Sequence, residues 1–334
     1  MPTLLSRMPL WGLAGWALAL SLVAVACRDL PEAPSPSRPE ADLVVAPPPC
    51  GPVTTNTNLS GDCTGPLVVG ASGITVNLGG HAVTCGPVPN PQDFSVGIEI
   101  FGQTNDHVTN GEVKNCNIGI DIISGGGGHE LSNLNVHNHS YHGIDLTESS
   151  NNTVRNTISS FNDVAGVALD RSAFNKLNQL QIEQNDFGIV LDVGADNNVV
   201  TASSVLGNPR AHGVGILIGG SNNTIDLSTK VSQNNTGIGV LASTGNTIRA
   251  TSAFQNGVGI VLVVDVINAT IQSSDASNNT FNGIQVNTGA TSNLIMSNTA
   301  FGNGSFDLED NNPACDANTW KSNHFGTANQ TCIN

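Results

Sequence analysis

The sequence feature that most constrains the fold is a four-residue phrase, Gly-Ile-x-Ile or a close variant, that returns about once every 22 residues. It begins at Gly97, Gly119, Gly143, Gly166, Gly188, Gly215, Gly237, Gly259 and Gly283, in steps of 22, 24, 23, 22, 27, 22, 22 and 24 residues. A short fixed period with apolar residues at alternate positions indicates that one small β unit is stacked on copies of itself.

Each repeat also contains an asparagine that is followed two residues later by a branched apolar residue, as at Asn152, Asn175 and Asn223. Three short strands with Gly or Asn at the corners form one coil of a parallel β-helix. We therefore predict an all-β fold, a single-stranded parallel β-helix of about eleven coils. The apolar residues should form one continuous core, and the asparagines should form hydrogen-bonded ladders from coil to coil, which is a structural role.

The composition agrees with strands and tight turns, because the chain has 37 Gly, one Tyr and only 11% charged residues. Its formal net charge of −15 disfavours nucleic acid or an anionic membrane surface as a partner, since both require a basic surface. A cationic ligand such as Ca²⁺ fits this charge better.

The first 27 residues predict an export signal, with Arg7 before an apolar stretch rich in Ala and Leu. This stretch ends in Val-Ala-Val-Ala-Cys at residues 23–27, which resembles the lipobox of bacterial lipoproteins and predicts lipidation of Cys27. The Ala-Val-Ala at 24–26 also fits ordinary signal cleavage, which would give a secreted protein. Residues 28–49 are rich in Pro, Ala, Ser and Glu and predict a disordered tether.

Six cysteines remain after Cys27, and in an exported chain they predict disulfides rather than a metal site. Fifteen pairings are formally possible. Proximity in the sequence favours Cys50 with Cys63 and Cys315 with Cys332, which leaves Cys85 with Cys116. The first two bonds would close the two ends of the stack.

The two ends of the repeat region resemble a known architecture. Residues 65–81 read GPLVVGASGITVNLGGH, and the phrases DNNP and WKSNHFGT follow at 310–313 and 320–327. Over residues 50–334 the chain resembles right-handed parallel β-helix proteins of the pectate-lyase-like superfamily, including pectate lyases, polygalacturonases, mannuronan C5-epimerases and the NosD-like periplasmic protein of nitrous-oxide reductase maturation. The resemblance implies this fold with a C-terminal cap from about residue 303, but unrelated functions share the scaffold. The catalytic motifs of the polygalacturonases and pectate lyases are absent from the sequence.

One position of the Gly phrase carries acids in three consecutive repeats, Glu99, Asp121 and Asp145. If the flanking isoleucines point inward, these carboxylates point outward and stack one coil apart. Carboxylates so close together either have raised pKa values or hold a cation, which makes them a candidate calcium site. Asp170 and Asp192 could extend the acidic strip.

Three histidines and the only tyrosine lie just before the third acid, in residues 137–142. The resemblance to uronate lyases and epimerases implies that Tyr141, His142 and His139 could exchange protons with an acidic glycan beside a calcium ion. A copper site of His137, His139 and His142 is a further alternative. The more ordinary interpretation is that these are turn residues beside a solubilising acidic face.

The sequence thus favours a lipid-anchored monomer, in the periplasm or at the cell surface, that binds carbohydrate or serves as an interaction module. A calcium-dependent polysaccharide lyase or C5-epimerase is the alternative. The four-glycine run at residues 125–128 lacks the context of a phosphate loop and is interpreted as a flexible corner.

Overall fold

The computed structural model describes residues 47–86, 94–208 and 213–334. The predicted export signal, the lipidation site Cys27 and residues 28–46 of the predicted tether lie outside the described residues. Among the residues that are described, no helix has the length and apolar character needed to cross a bilayer.

The structure is built almost wholly from short strands. The first sixteen are β1 (Pro49–Val53), β2 (Thr57–Asn58), β3 (Cys63–Val69), β4 (Thr75–Asn77), β5 (Ala82–Thr84), β6 (Val96–Phe101), β7 (His107–Lys114), β8 (Ile118–Ile123), β9 (Glu130–His137), β10 (Ile144–Thr147), β11 (Thr153–Arg155), β12 (Ile158–Ser160), β13 (Ala165–Asp170), β14 (Lys176–Asn178), β15 (Gln181–Glu183) and β16 (Phe187–Leu191). The remaining strands are β17 (Val199–Thr201), β18 (Ser204–Leu206), β19 (Val214–Ile218), β20 (Thr224–Asp226), β21 (Lys230–Ser232), β22 (Thr236–Val240), β23 (Thr247–Arg249), β24 (Ser252–Phe254), β25 (Val258–Leu262), β26 (Thr270–Gln272), β27 (Ile284–Val286), β28 (Leu294–Met296), β29 (Thr299–Ala300), β30 (Leu308–Asp310), β31 (Thr319–Lys321) and β32 (His324–Phe325), with one 3₁₀ turn at Pro313–Cys315.

The strands pair in parallel with the equivalent strands of adjacent coils, which confirms the predicted parallel β-helix of about eleven coils. Three faces run along the stack. Sheet 1 carries the Gly phrase and contains β6, β8, β10, β13 and their equivalents, sheet 2 contains β11, β14 and β17, and sheet 3 contains β12, β15 and β18. We call the turn from sheet 1 to sheet 2 corner 1 and the turn from sheet 3 back to sheet 1 corner 3.

The apolar core runs through the inside of the coils as predicted. Ile98, Ile120 and Ile144 lie in register on sheet 1, and each has 0% of its surface exposed. The same cluster continues through equivalent Ile, Val and Leu side chains to Leu308. Because each coil covers the apolar side chains of its neighbours, the stability of a coil depends on the coils directly before and after it.

The predicted asparagine ladders are present inside corners 1 and 3. In corner 1 the backbone N–H of Asn152 donates to Oδ1 of Asn175 at 2.8 Å, and the N–H of Asn175 donates to Asn198 at 2.8 Å. In corner 3 the N–H of Asn162 donates to Oδ1 of Asn185 at 3.0 Å. These side chains are buried and supply acceptors that the corner backbone would otherwise lack, so their role is structural.

The three predicted disulfides are all formed. They join Cys50 to Cys63, Cys85 to Cys116, and Cys315 to Cys332. The first closes the N-terminal coil, and the third fastens the last residues over the C-terminal end.

The C-terminal end of the core is closed by side chains that differ from those of the repeats. Trp320 takes the place that Ile295 occupies one coil earlier, and its Nε1 donates to Oδ2 of Asp310 at 2.8 Å. Asp307 accepts hydrogen bonds from the backbone N–H groups of Gly326 and Thr327, both at 2.9 Å. The terminal residues therefore satisfy the last corner and cover the core.

Candidate functional site

The three acids of the Gly phrase stack in register on the outer side of sheet 1, as the sequence predicted. Asp121 pairs with Glu99 on one side and with Asp145 on the other. Asp121 is nonetheless only 3% exposed, whereas Glu99 and Asp145 are half-buried. In the following coils the same column is apolar, with Ala168 and then Val190. The acidic part of the column therefore runs from residue 99 to residue 145, and an acid returns at Glu309 near the end of the chain.

The calcium site at the stacked acids stays a prediction, which the placement of the side chains does not favour. Within residues 47–86, 94–208 and 213–334, no group of three or more His, Cys, Asp or Glu side chains is placed to hold a metal ion. Carboxylates that lie one above another, each about 4.8 Å from the next backbone, need not converge on a common point. The register prediction was right, but the inference from stacking to a shared cation was not supported.

Asp170 continues the outer face beside the acids, since it pairs with Thr147 of the preceding coil. The pKa of Asp170 is raised, mainly because the carboxyl group is partly buried. The positive charge of Arg171 lowers this pKa, whereas the negative charges of Asp192 and Glu148 raise it further. The Arg171 guanidinium contacts Asp170 at 2.8 Å and Glu148 at 3.1 Å. A cation of the protein itself therefore balances this end of the acidic strip.

Tyr141 and His142 lie against each other at the entrance to the third acidic strand, with ring centroids 3.9 Å apart. Burial lowers the pKa of His142 to about 3, and its Nδ1 has no hydrogen-bond partner within the protein. Burial, followed by the charges of Asp145 and Asp192, raises the pKa of Tyr141. Both side chains are therefore neutral at pH 7, and neither has a pKa near the working pH that general-base catalysis requires.

His139 does not reach the outer face, so its position does not favour the predicted proton-transfer role. It is 0% exposed and occupies the first position of the corner 3 ladder, 23 residues before Asn162. Its Nδ1 accepts a hydrogen bond from the backbone N–H of Cys116 at 3.2 Å, and its Nε2 lies 3.1 Å from the carbonyl oxygen of Val113. Both ring nitrogens are thus committed to the neighbouring coil.

The positions of the three rings do not favour the alternative copper site of His137, His139 and His142. His137 lies on the outer side of sheet 3, where its Nε2 is 2.6 Å from Oε1 of Glu112. His139 is inside the corner, and His142 is buried beside Tyr141. The donors therefore do not converge.

A polar depression lies in corner 1 of the same coils. It has a volume of about 520 Å³ and lies just after the acidic strands of sheet 1. Its lining consists of Thr104, Asn105, the four glycines at 125–128, Glu148, Ser150 and Asn151. Asn105 and Asn151 hold left-handed backbone conformations, with φ of 57° and 63°, and expose their amides to solvent.

The glycine run is needed here for close approach of the coils. A Cβ on residue 126 would collide with the carbonyl oxygen of Gln103, and one on residue 127 with that of Ser150. The glycine run is visible in the sequence, but no sequence motif pointed to Asn105, Glu148 and Asn151. Asn105, Asn151 and Asn197 recur in steps of 46 residues, which is two coils, and this spacing could have identified the corner but not the concavity.

Comparison with known proteins supports the architecture. Residues 67–227 match the family described as periplasmic copper-binding protein (NosD), and residues 194–334 match the right handed beta helix region. No protein of curated function matches the chain by sequence.

Several solved structures share the fold at low sequence identity. The A-module of mannuronan C-5 epimerase AlgE4 from Azotobacter vinelandii is 13% identical, with a TM-score of 0.54 over 78% of this chain and 88% of that chain. The periplasmic alginate epimerase AlgG is 12% identical, with a TM-score of 0.53 over 79% and 78%. The enzymatically active domain of bacteriophage CBA120 tailspike protein 2 is 13% identical, with a TM-score of 0.57 over 78% and 47%. The repeat period, the coil-by-coil register and these matches together show that the chain is a right-handed parallel β-helix repeat protein.

Proposed function

We propose that this chain is an extracytoplasmic β-helix protein that binds carbohydrate through the polar surface of its N-terminal third. The observation that carries the proposal is the corner 1 depression, which combines amide, hydroxyl and carboxylate groups around a glycine run. Sugars present rows of hydroxyl groups, and Asn side chains can both donate to and accept from them. The exposed Asn105 and Asn151 amides supply such groups on coils two apart.

An extracytoplasmic location is supported by the three disulfides, because such bonds persist in oxidising compartments. The partial match to a family described as periplasmic agrees with this location. We also propose, from the sequence alone, that Cys27 is lipidated. Membrane fractionation tests the anchor: wild-type protein should sediment with membranes and Cys27→Ala should be released, and a soluble wild-type protein would contradict lipidation.

The proposal leaves out copper, although the partially matching family is described as copper-binding. Residues 137, 139 and 142 do not fit a copper ion, because one ring is bonded to Glu112, one lies inside a corner and one is buried. No chemistry through a metal is inferred for this chain.

The binding proposal is tested by removing the two exposed amides of the depression. Asn105→Gly and Asn151→Gly keep the left-handed backbone, which glycine adopts freely, and delete only the side-chain groups. Binding to a panel of neutral and uronic-acid oligosaccharides, measured by calorimetry, should weaken about tenfold in the double variant.

Asn197→Gly is the matched control, because Asn197 holds the same corner position with φ of 58° outside the depression. It should bind as the wild type does. Equal loss in the control and the double variant would mean that the effect comes from the backbone, and absence of binding to the whole panel would refute a carbohydrate function.

The alternative function is a polysaccharide lyase or C5-epimerase, and two structurally similar proteins are epimerases. The neutral His142 and the protonated Tyr141 do not favour it, since each would be a poor base at pH 7. Incubation with uronic-acid polymers, with and without Ca²⁺, followed by unsaturated-product absorbance and C5 configuration, distinguishes it from simple binding.

A further inference from the structure

Phe161 occupies a backbone position that does not suit a phenylalanine. It lies at the start of corner 3 with φ of 55°, in the left-handed region. Its equivalents in the other coils are Asn115, Asn138, Gln184, Gly207, Gln233, Gln255, Asn278 and Gly302, which are polar or glycine. A bulky residue is disfavoured in this conformation, and such residues concentrate at functional sites.

Burial of the Phe161 ring does little to offset the free-energy cost of this backbone conformation, because the residue is 50% exposed. It lines an open depression of about 340 Å³ at the junction of sheet 3 and corner 3. The other lining residues are Asn135, His137, Asn138 and Ser160. An exposed aromatic ring thus lies beside two amides and a hydroxyl group.

We propose that this depression is a second carbohydrate subsite, in which Phe161 is the platform for the apolar face of a neutral pyranose ring. The inference rests on the proposed carbohydrate function. It extends that function to corner 3, which lies at the opposite edge of sheet 1 from corner 1. Aromatic rings offer a rigid apolar face, and the amides of Asn135 and Asn138 are positioned in the same lining to bond hydroxyl groups.

The charges around the depression favour a neutral sugar over a uronate. Glu112 bonds both His137 and Lys114, each at 2.6 Å. Burial by itself would raise the pKa of Glu112, but the hydrogen bonds from Lys114 and His137 lower it overall, so its carboxylate is ionised at neutral pH. The carboxylate of Glu112 therefore already balances the charge of the Lys114 ammonium group. An acidic sugar would find neither Lys114 nor His137 free to bind its carboxylate.

Substitution of Phe161 by Asn separates this role from a structural one. Asn tolerates the left-handed conformation, so Phe161→Asn should raise the melting temperature by about 2 °C while weakening binding of neutral oligosaccharides about tenfold. Phe161→Trp should retain binding, because it keeps an aromatic platform. Uronic-acid oligosaccharides should bind the wild type more weakly than neutral ones of the same length.

Phe281→Asn is the matched control, because this ring is 56% exposed in a distant coil outside the depression. Its binding should equal that of the wild type. If Phe161→Asn binds normally while Asn105→Gly with Asn151→Gly does not, the subsite inference is overturned and the proposed function stands. If no oligosaccharide binds the wild type, both are overturned.

Discussion

At the scale of single residues, the role of His139 follows from its buried position in corner 3 and not from the acid–base chemistry of a histidine. His139 has the same place in its corner as Asn162 has one coil later, and its ring nitrogens bond the backbone as an amide would. Burial lowers its pKa to about 3, so the folded protein holds it neutral. The imidazole is therefore a ladder group and not a proton carrier.

Replacement of His139 tests this role through the pH dependence of stability. The unfolded chain binds a proton at this histidine below pH 6.5 and the folded chain does not, so its contribution is present above pH 6.5 and is lost at about 1.4 kcal/mol per unit as pH falls toward 3. In His139→Asn the loss in unfolding free energy between pH 7 and pH 5 should shrink by about 2 kcal/mol, as measured by urea denaturation.

His139→Ala serves as the comparison at pH 7. It leaves the N–H of Cys116 and the carbonyl of Val113 without partners, which should cost about 1–3 kcal/mol for each. His139→Asn should be the milder change. An unchanged pH slope in His139→Asn would show that the buried ring is not the group that titrates.

The sequence predicted some residues of the site well and others poorly, for physical reasons. The register of Glu99, Asp121 and Asp145 followed from the Gly phrase because parallel strands of constant period must align. The burial of Asp121 and the position of His139 depend on side-chain packing between coils, which a strand period does not specify. The 23-residue step from His139 to Asn162 was a signal for the ladder, but the change of residue type concealed it.

At the scale of structural elements, the ladders connect one corner to the next. The corner 1 ladder runs through Asn198, Asn223 and Asn246. The backbone N–H of Asn198 donates to Oδ1 of Asn223, and the N–H of Asn223 donates to Oδ1 of Asn246. It is interrupted at Ala269, which donates its own N–H to Asn293 but has no side-chain acceptor to offer. Asn268 comes one residue earlier in the chain and holds the left-handed corner position.

Ala269→Asn should complete the ladder. The new side chain would lie where all neighbouring coils hold an asparagine and would give the N–H of Asn246 an acceptor, with a gain of about 1 kcal/mol in unfolding free energy. Chemical denaturation measures the gain. Ala253→Asn, at a fully buried alanine of sheet 3, is the control and should destabilise, because its amide would enter the apolar core. A loss of stability in Ala269→Asn would mean that the corner has closed around the alanine.

At the scale of the whole molecule, coils interact mainly with their neighbours. The polar depressions and the acidic column lie within residues 99–161. The outer side of sheet 1 in the central coils packs Ala165, Ala168 and Val190 into a small apolar cluster of its own. Stability in such a stack is a sum of local terms, so an end can open without the middle. The binding surface and the C-terminal cap should therefore respond separately to mutation.

The Cys315–Cys332 disulfide provides a test of this independence. It closes a loop of 17 residues, and its loss through Cys315→Ser with Cys332→Ser should cost about 3 kcal/mol at that end. In a chain that begins at Cys27, Trp320 is the only tryptophan, and it is 4% exposed against Asp310. Its fluorescence should shift to the red at lower urea than the loss of β circular dichroism, whereas both signals should change together in the wild type. If the fluorescence and circular dichroism transitions coincide in the double variant, the stack unfolds as one unit. If oligosaccharide binding survives the fluorescence transition, the binding surface lies outside the C-terminal cap.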